Sequence, residues 1–216
     1  MRPEPHALVR FFDAAVPEAF LWDTLRCLQQ SYDAADSRCR ADFPREEGRD
    51  LYPQLRRAIF ESSWRAVATR YPEATASAQL NESGNYYHTE VRFGRVVLTA
   101  SAVPNPTTLV RDAKFRQTYA RSAQLAFYFM EQQPLPVDEP LFGILLHGPD
   151  ESDRALPGFV HVAFPSPDCS RYLDRIDLVA RFAAQIAASA TDATEIIDSE
   201  PAVRLRRPAR REQHGA

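Results

Sequence analysis

Apolar residues in the first third of the chain recur with a helical spacing. Leu21, Leu25, Leu28, Tyr32, Ala35 and Cys39 follow one another in alternating steps of four and three, which predicts an amphipathic helix over 17–39 with Pro17 as its first residue. A shorter helix over 5–15 precedes it, because Pro17 and the residue before it interrupt helical geometry. Asp50 is placed to cap a second long helix reaching about Arg70, with Leu51, Leu55, Ile59, Ser62, Ala66 and Val67 turned inward. From Pro72 to Asn85 small and polar residues show no period and read as a connection.

The period then changes to two. Tyr86–Phe93 and Arg95–Val103 alternate as strands about Phe93-Gly94, which predicts a hairpin with a two-residue loop. In that register Val91 lies opposite Val96, Thr89 opposite Leu98 and Tyr87 opposite Ala100, forming an apolar face. Tyr86, His88, Glu90, Thr99 and Ser101 take the other face. Arg92 and Arg95 fall opposite each other, a like-charge pair that a sheet disfavours unless an anion or solvent relieves it.

Beyond Pro104-Asn105-Pro106, Thr107 or Thr108 is expected to cap a helix running to about Gln132. Its apolar stripe is Leu109, Ala113, Ala120, Ala123, Phe127 and Met130, and the part from Leu125 to Met130 is expected deep in the core. Arg116 falls inside this stripe, so it is expected to be buried against a carboxylate or backbone carbonyls, with Glu90 the leading partner. Leu141–His147 and Phe159–Phe164 are apolar on both faces, as central strands covered by helices are. Asp168 or Ser170 caps a last helix from Arg171 to about Ala188. The order predicts an α+β domain over 1–189. Its sheet is mainly antiparallel with about four strands, in two hairpin-like pairs packed with long amphipathic helices. Residues 190–216 read as a flexible, charged tail.

Composition and charge sharpen this picture. At 216 residues with 44% hydrophobic content, the chain has material for a sizeable core. Asp13 and Glu18 interrupt the N-terminal segment, and no run of apolar residues is long enough for a membrane span, so a cytosolic protein is expected. Cys27, Cys39 and Cys169 lack metal-binding spacing, and neither a metal nor a cofactor is expected. All but one of the 26 basic residues are arginine, a bias typical of a GC-rich bacterial genome. Between Arg92 and Arg121, six cations face only Asp112, a local charge of +5 in a chain of −3, so the remainder carries −8.

That local charge is the main pointer to function. Arg92, Arg95, Arg111, Lys114 and Arg121, interleaved with Asn85 and Tyr86, have the groups that phosphates and bases require. A binding or regulatory domain with an anionic partner, either nucleic acid or an acidic protein surface, is the expectation. An accessory component of a nucleic-acid-handling or defence-type system fits it. The alternative is a nuclease or phosphodiesterase using His88 and Glu90, which alternate onto one face of a strand. Ile144-Leu145-Leu146-His147-Gly148 resembles the strand end of α/β-hydrolases that donates to an oxyanion hole. The resemblance covers five residues, and the GxSxG nucleophile elbow of that family is missing.

Overall fold

The computed structural model describes residues 7–81, 84, 86–111, 113–128 and 140–189. The chain divides into two compact units, Met1–Arg181 and Phe182–Ala216. In the second, residues 183–189 are helical, with the Ile186 amide donating to the Phe182 carbonyl at 2.9 Å. The expected tail, 190–216, lies outside the described residues.

The first unit begins with three helices: α1 (Ala7–Ala15), α2 (Glu18–Asp42) and α3 (Arg45–Ala68). Leu8 and Phe12 bury one side of α1. Pro17 stands just before α2, and its carbonyl accepts the Phe20 amide at 3.0 Å, so the proline starts the helix without needing its own N–H. All six residues of the predicted α2 stripe are buried.

α3 departs from expectation in start and phase. It begins behind Pro44 rather than at Asp50, which lies within the helix, and the α2–α3 connection is only Phe43-Pro44. Its buried face is Gly48, Tyr52, Arg56, Phe60, Trp64, Val67 and Ala68, about one residue away from the predicted stripe. Arg56, a cation, lies in the middle of this stripe. Its guanidinium lies over the rings of Tyr32 and Tyr52, at 4.5 and 5.3 Å, and so belongs in the aromatic layer. Leu55 and Ile59 pack at the margin of that layer.

Six strands form one sheet in sequence order: β1 (Ala74–Leu80), β2 (Tyr87–Phe93), β3 (Val96–Ala102), β4 (Leu141–Pro149), β5 (Pro157–Pro165) and β6 (Tyr172–Asp177). All neighbours are antiparallel except β3 and β4, which are parallel. A parallel pair needs a crossover, and α4 (Lys114–Tyr128) lies in it. The architecture is α+β with a mixed, mostly antiparallel sheet. Among the described residues it has six strands rather than about four, and only α2 and α3 exceed twenty residues. A four-residue helix, α5 (Leu178–Arg181), closes the unit.

The two additional strands are the two edges. β1 falls in the segment read as a connection, and its ladder with β2 runs from Ala74↔Phe93 to Leu80↔Tyr87. β6 replaces the first turns of the predicted last helix. Asp168 caps nothing there: it accepts from Ser166 and Ser170 in the turn before β6, while Asp177 accepts the Ala180 amide and so caps α5.

The hairpin exists but turns one residue later than expected. Gly94 and Arg95 form the loop, with Phe93 opposite Val96 and Val91 opposite Leu98. Gly94 has φ +52°, which suits glycine at the first position of a two-residue loop. Arg92 therefore lies opposite Val97, and the like-charge pair with Arg95 is not formed. α4 also starts late. Asn105 accepts the amides of Thr107 and Thr108, both at 3.0 Å, so this segment is a turn rather than a capped helix. The expected core packing of Leu125 to Met130 lies outside the described side chains.

Register assigns the two faces of the sheet. Phe93, His147 and Phe164 meet Phe20, Tyr32, Phe60 and Phe12 of the three N-terminal helices. Val97, Phe142, Ile144, Leu146 and Ala163 form the opposite core with Ala120 of α4. No helix among the described residues is long and apolar enough to cross a membrane.

Candidate functional site

The α4 face of the hairpin holds the polar side chains that the alternation of β2 places together. His88, Glu90 and Arg92 share that face, and α4 covers it. The His88 imidazole stacks on Phe115, ring centroids 4.0 Å apart, and the residue is only 6% exposed. Burial lowers its pKa, against the charge of Glu90 and with that of Arg116 and Arg57. Its Nδ1 is buried without a hydrogen-bond partner among the described residues.

Glu90 is 3% exposed, and both of its oxygens are engaged. Arg92 donates from Nε at 2.6 Å, and the Tyr119 hydroxyl donates to the other oxygen. A terminal nitrogen of Arg92 also donates to the Tyr119 oxygen at 2.9 Å, so the three groups form a closed network. Burial works to lower the Arg92 pKa, but its hydrogen bond to Glu90 and that carboxylate's charge outweigh it, and the net shift is upward. Burial, then the bond to Glu90, raises the Tyr119 phenol. Sequence periodicity gave no hint of Tyr119; its partners are residues 29 and 27 positions away.

Arg116 is half-buried between α4 and the sheet. It donates to the Arg111 carbonyl at 2.9 Å and to the Ser101 hydroxyl at 3.3 Å, and its guanidinium lies 5.1 Å from the Phe115 ring centroid. Backbone-carbonyl pairing is as expected, but Glu90 is not the partner because Arg92 and Tyr119 already hold it. Burial lowers the Arg116 pKa, and its Nε is buried without a hydrogen-bond partner among the described residues.

The remaining sequence candidates are dispersed. Arg95, in the hairpin loop, lies over the Phe11 ring at 5.4 Å, and Tyr86 is covered by the Arg57 guanidinium at 4.4 Å. Asn85 lies outside the described residues. Arg111, Lys114 and Arg121 are exposed, and Arg111 belongs to the segment before α4 rather than to the helix. Arg111 and Arg121 have no ion pair among the described residues. His147, the histidine of the hydrolase-like strand end, is buried with Nδ1 2.8 Å from the Tyr32 hydroxyl. No group of His, Cys, Asp and Glu among the described residues is arranged to hold a metal ion.

No protein-family model matches the chain, and no match was found among curated proteins or solved structures.

Proposed function

We propose that this is a binding domain that docks an anionic partner along the first half of α4 and the segment before it, through Arg111, Lys114 and Arg121, with the hairpin as its buried support. The observation that carries the reading is exposed positive charge along one segment of the chain. Arg111 and Arg121 are exposed without an ion pair among the described residues, and Arg116 beside them is held by a carbonyl and a hydroxyl rather than a carboxylate. The phosphate backbone of a nucleic acid is the partner that such point charges suit, because long flexible cations can follow a regular array of negative groups. Arg92 and Arg95 contribute to the support rather than to the docking surface. His88 and Glu90 do likewise: both are buried, and the two Glu90 oxygens are engaged by Arg92 and Tyr119.

Replacing Arg111, Lys114 and Arg121 together by Gln tests the proposal. Wild type is expected to bind duplex DNA or RNA with strong salt dependence, and the variant to bind more weakly whatever the base sequence. The slope of log affinity against log salt should fall by roughly 2 to 3, since each phosphate contact contributes about 0.9 for duplex DNA. Salt-independent or undetectable binding by wild type would remove nucleic acid and leave an acidic protein surface as the partner to test.

A further inference from the structure

A second group of cations, remote in sequence from α4, surrounds the junction of α2 and α3. A cleft of about 600 Å³ is lined there by Arg40 near the end of α2, Arg45 and Arg49 at the start of α3, and Arg154 from the β4–β5 loop. Phe43, in the short connection between the helices and 40% exposed, lines it as well.

Asp36 organises two of the four arginines. One of its oxygens meets Nε of Arg40 at 2.7 Å and the other meets Nε of Arg154 at 2.6 Å, with the Asp36 side chain only 5% exposed. A single carboxylate thus restrains two guanidiniums and cancels one charge. Contact through Nε leaves the terminal nitrogens of each for another anion. The ring of Tyr52 lies 4.9 Å from the Arg154 guanidinium and limits its freedom further.

Arg45 and Arg49 have no such restraint, and their charges stand against the helix dipole, which Glu46 and Glu47 in the same first turn complement. Four apart on one helix, the two arginines repel each other. They also sit at the N-terminal end of a 24-residue helix, where the dipole favours anions, and that end has no side-chain cap. Neither has an ion pair among the described residues. The acidic residues of the same segments, Asp42, Glu46, Glu47 and Asp50, do not line the cleft. With Asp36 counted against the four arginines, an excess of about three positive charges faces one concave space.

We infer that this cleft binds a phosphorylated small molecule: the guanidiniums of Arg40, Arg45, Arg49 and Arg154 take its phosphate oxygens, and Phe43 packs against its apolar part. Planar guanidiniums pair with phosphate through parallel hydrogen bonds, and two already fixed on Asp36 lose little freedom when a ligand arrives. The inference does not depend on α4 and survives if the reading of that surface fails.

Pyrophosphate and a nucleoside diphosphate share the required chemistry, so calorimetric titration of the full chain with pyrophosphate and with ADP, at low ionic strength, is the test. Saturable binding of ADP at one site, tighter than that of pyrophosphate, is expected. Arg45→Gln with Arg49→Gln should weaken both ligands about tenfold or more. Phe43→Ala should weaken ADP alone. The variant lacking Arg111, Lys114 and Arg121 should bind both as wild type does. All these side chains are exposed, so folding should be preserved, and a melting curve checks it. The inference is overturned if neither ligand saturates wild type, or if binding follows the α4 cations and not Arg45 and Arg49. Equal affinities, unmoved by Phe43→Ala, would sink the role given to Phe43.

Discussion

His147 sits near the end of the apolar strand β4. In the structure its ring is enclosed by Tyr32 and Phe60, and burial, with Arg56 adding to it, pushes its pKa down from 6.5 to about 3. The folded protein therefore holds this imidazole neutral where the unfolded chain would protonate it. Between those two pKa values the unfolded state binds more protons, so stability rises with pH. The contribution is complete above about pH 6.5 and is lost as pH falls toward 3, at about 1.4 kcal/mol per pH unit. His88 and His161, also shifted downward chiefly by burial, act in the same direction. Urea unfolding at pH 7 and pH 5 should show a loss for wild type that is smaller in His147→Gln. An equal loss in both would mean that His147 is solvated.

Helix phase and strand edges show how an element's neighbours override its own pattern. Arg56 in the α3 stripe is tolerated because the tyrosines it covers come from two helices, Tyr32 on α2 and Tyr52 on α3. Gly48 is buried where α3 meets α2. A Cβ there would stand 2.9 Å from the Cys39 carbonyl oxygen, and backbone cannot swing aside as a flexible side chain can. Gly48→Ala should gain about 0.5–1 kcal/mol in helix propensity. Separating the helices should cost about 1–3 kcal/mol, so a net loss is expected. A urea midpoint at or above that of wild type would show that α2 and α3 can part without penalty. The edge strands teach the same lesson in reverse. In Ala74–Leu80 the apolar residues Ala74, Ala76, Ala78 and Leu80 alternate with Thr75, Ser77 and Gln79, but alanine is too small to mark the period strongly, and the edge strand leaves its residues largely exposed. Register, and not side-chain burial, makes it a strand.

The six strands and α1–α5 all belong to Met1–Arg181. We propose that residues 190–216 contribute nothing to the stability of that unit, since their sequence lacks a periodic apolar face. A chain ending at Ser189 should melt close to the full chain, with unfolding free energies within about 0.5 kcal/mol. A large fall in the midpoint would mean that Ile196 and Ile197 dock as an additional element. The whole molecule also separates its two cationic surfaces by layer. The α4 group belongs to one face of the sheet, and the α2–α3 cleft to helices packed on the other, which is why the two sets of substitutions are expected to act independently.

The α+β class, the α2 stripe, the central apolar strands and the existence of a hairpin after Tyr86 were legible in the sequence. In each case the pattern is produced by burial within a few consecutive residues, so spacing alone carries the information. The strand alternation also placed His88, Glu90 and Arg92 on one face. Three-dimensional neighbours decided the rest. Whether that face is open or covered depends on where α4 lands, and Tyr119 and Phe115 close it from a helix that begins more than ten residues beyond the end of β3. The hairpin loop fell on Gly94-Arg95 because pairing Phe93 with Val96 keeps both in the core, and no count along one strand reveals its partner's register. The arginine cleft was least legible of all. Its walls come from two helix ends and a loop over a hundred positions away, and Asp36 joins them only because packing brings Arg154 across that distance.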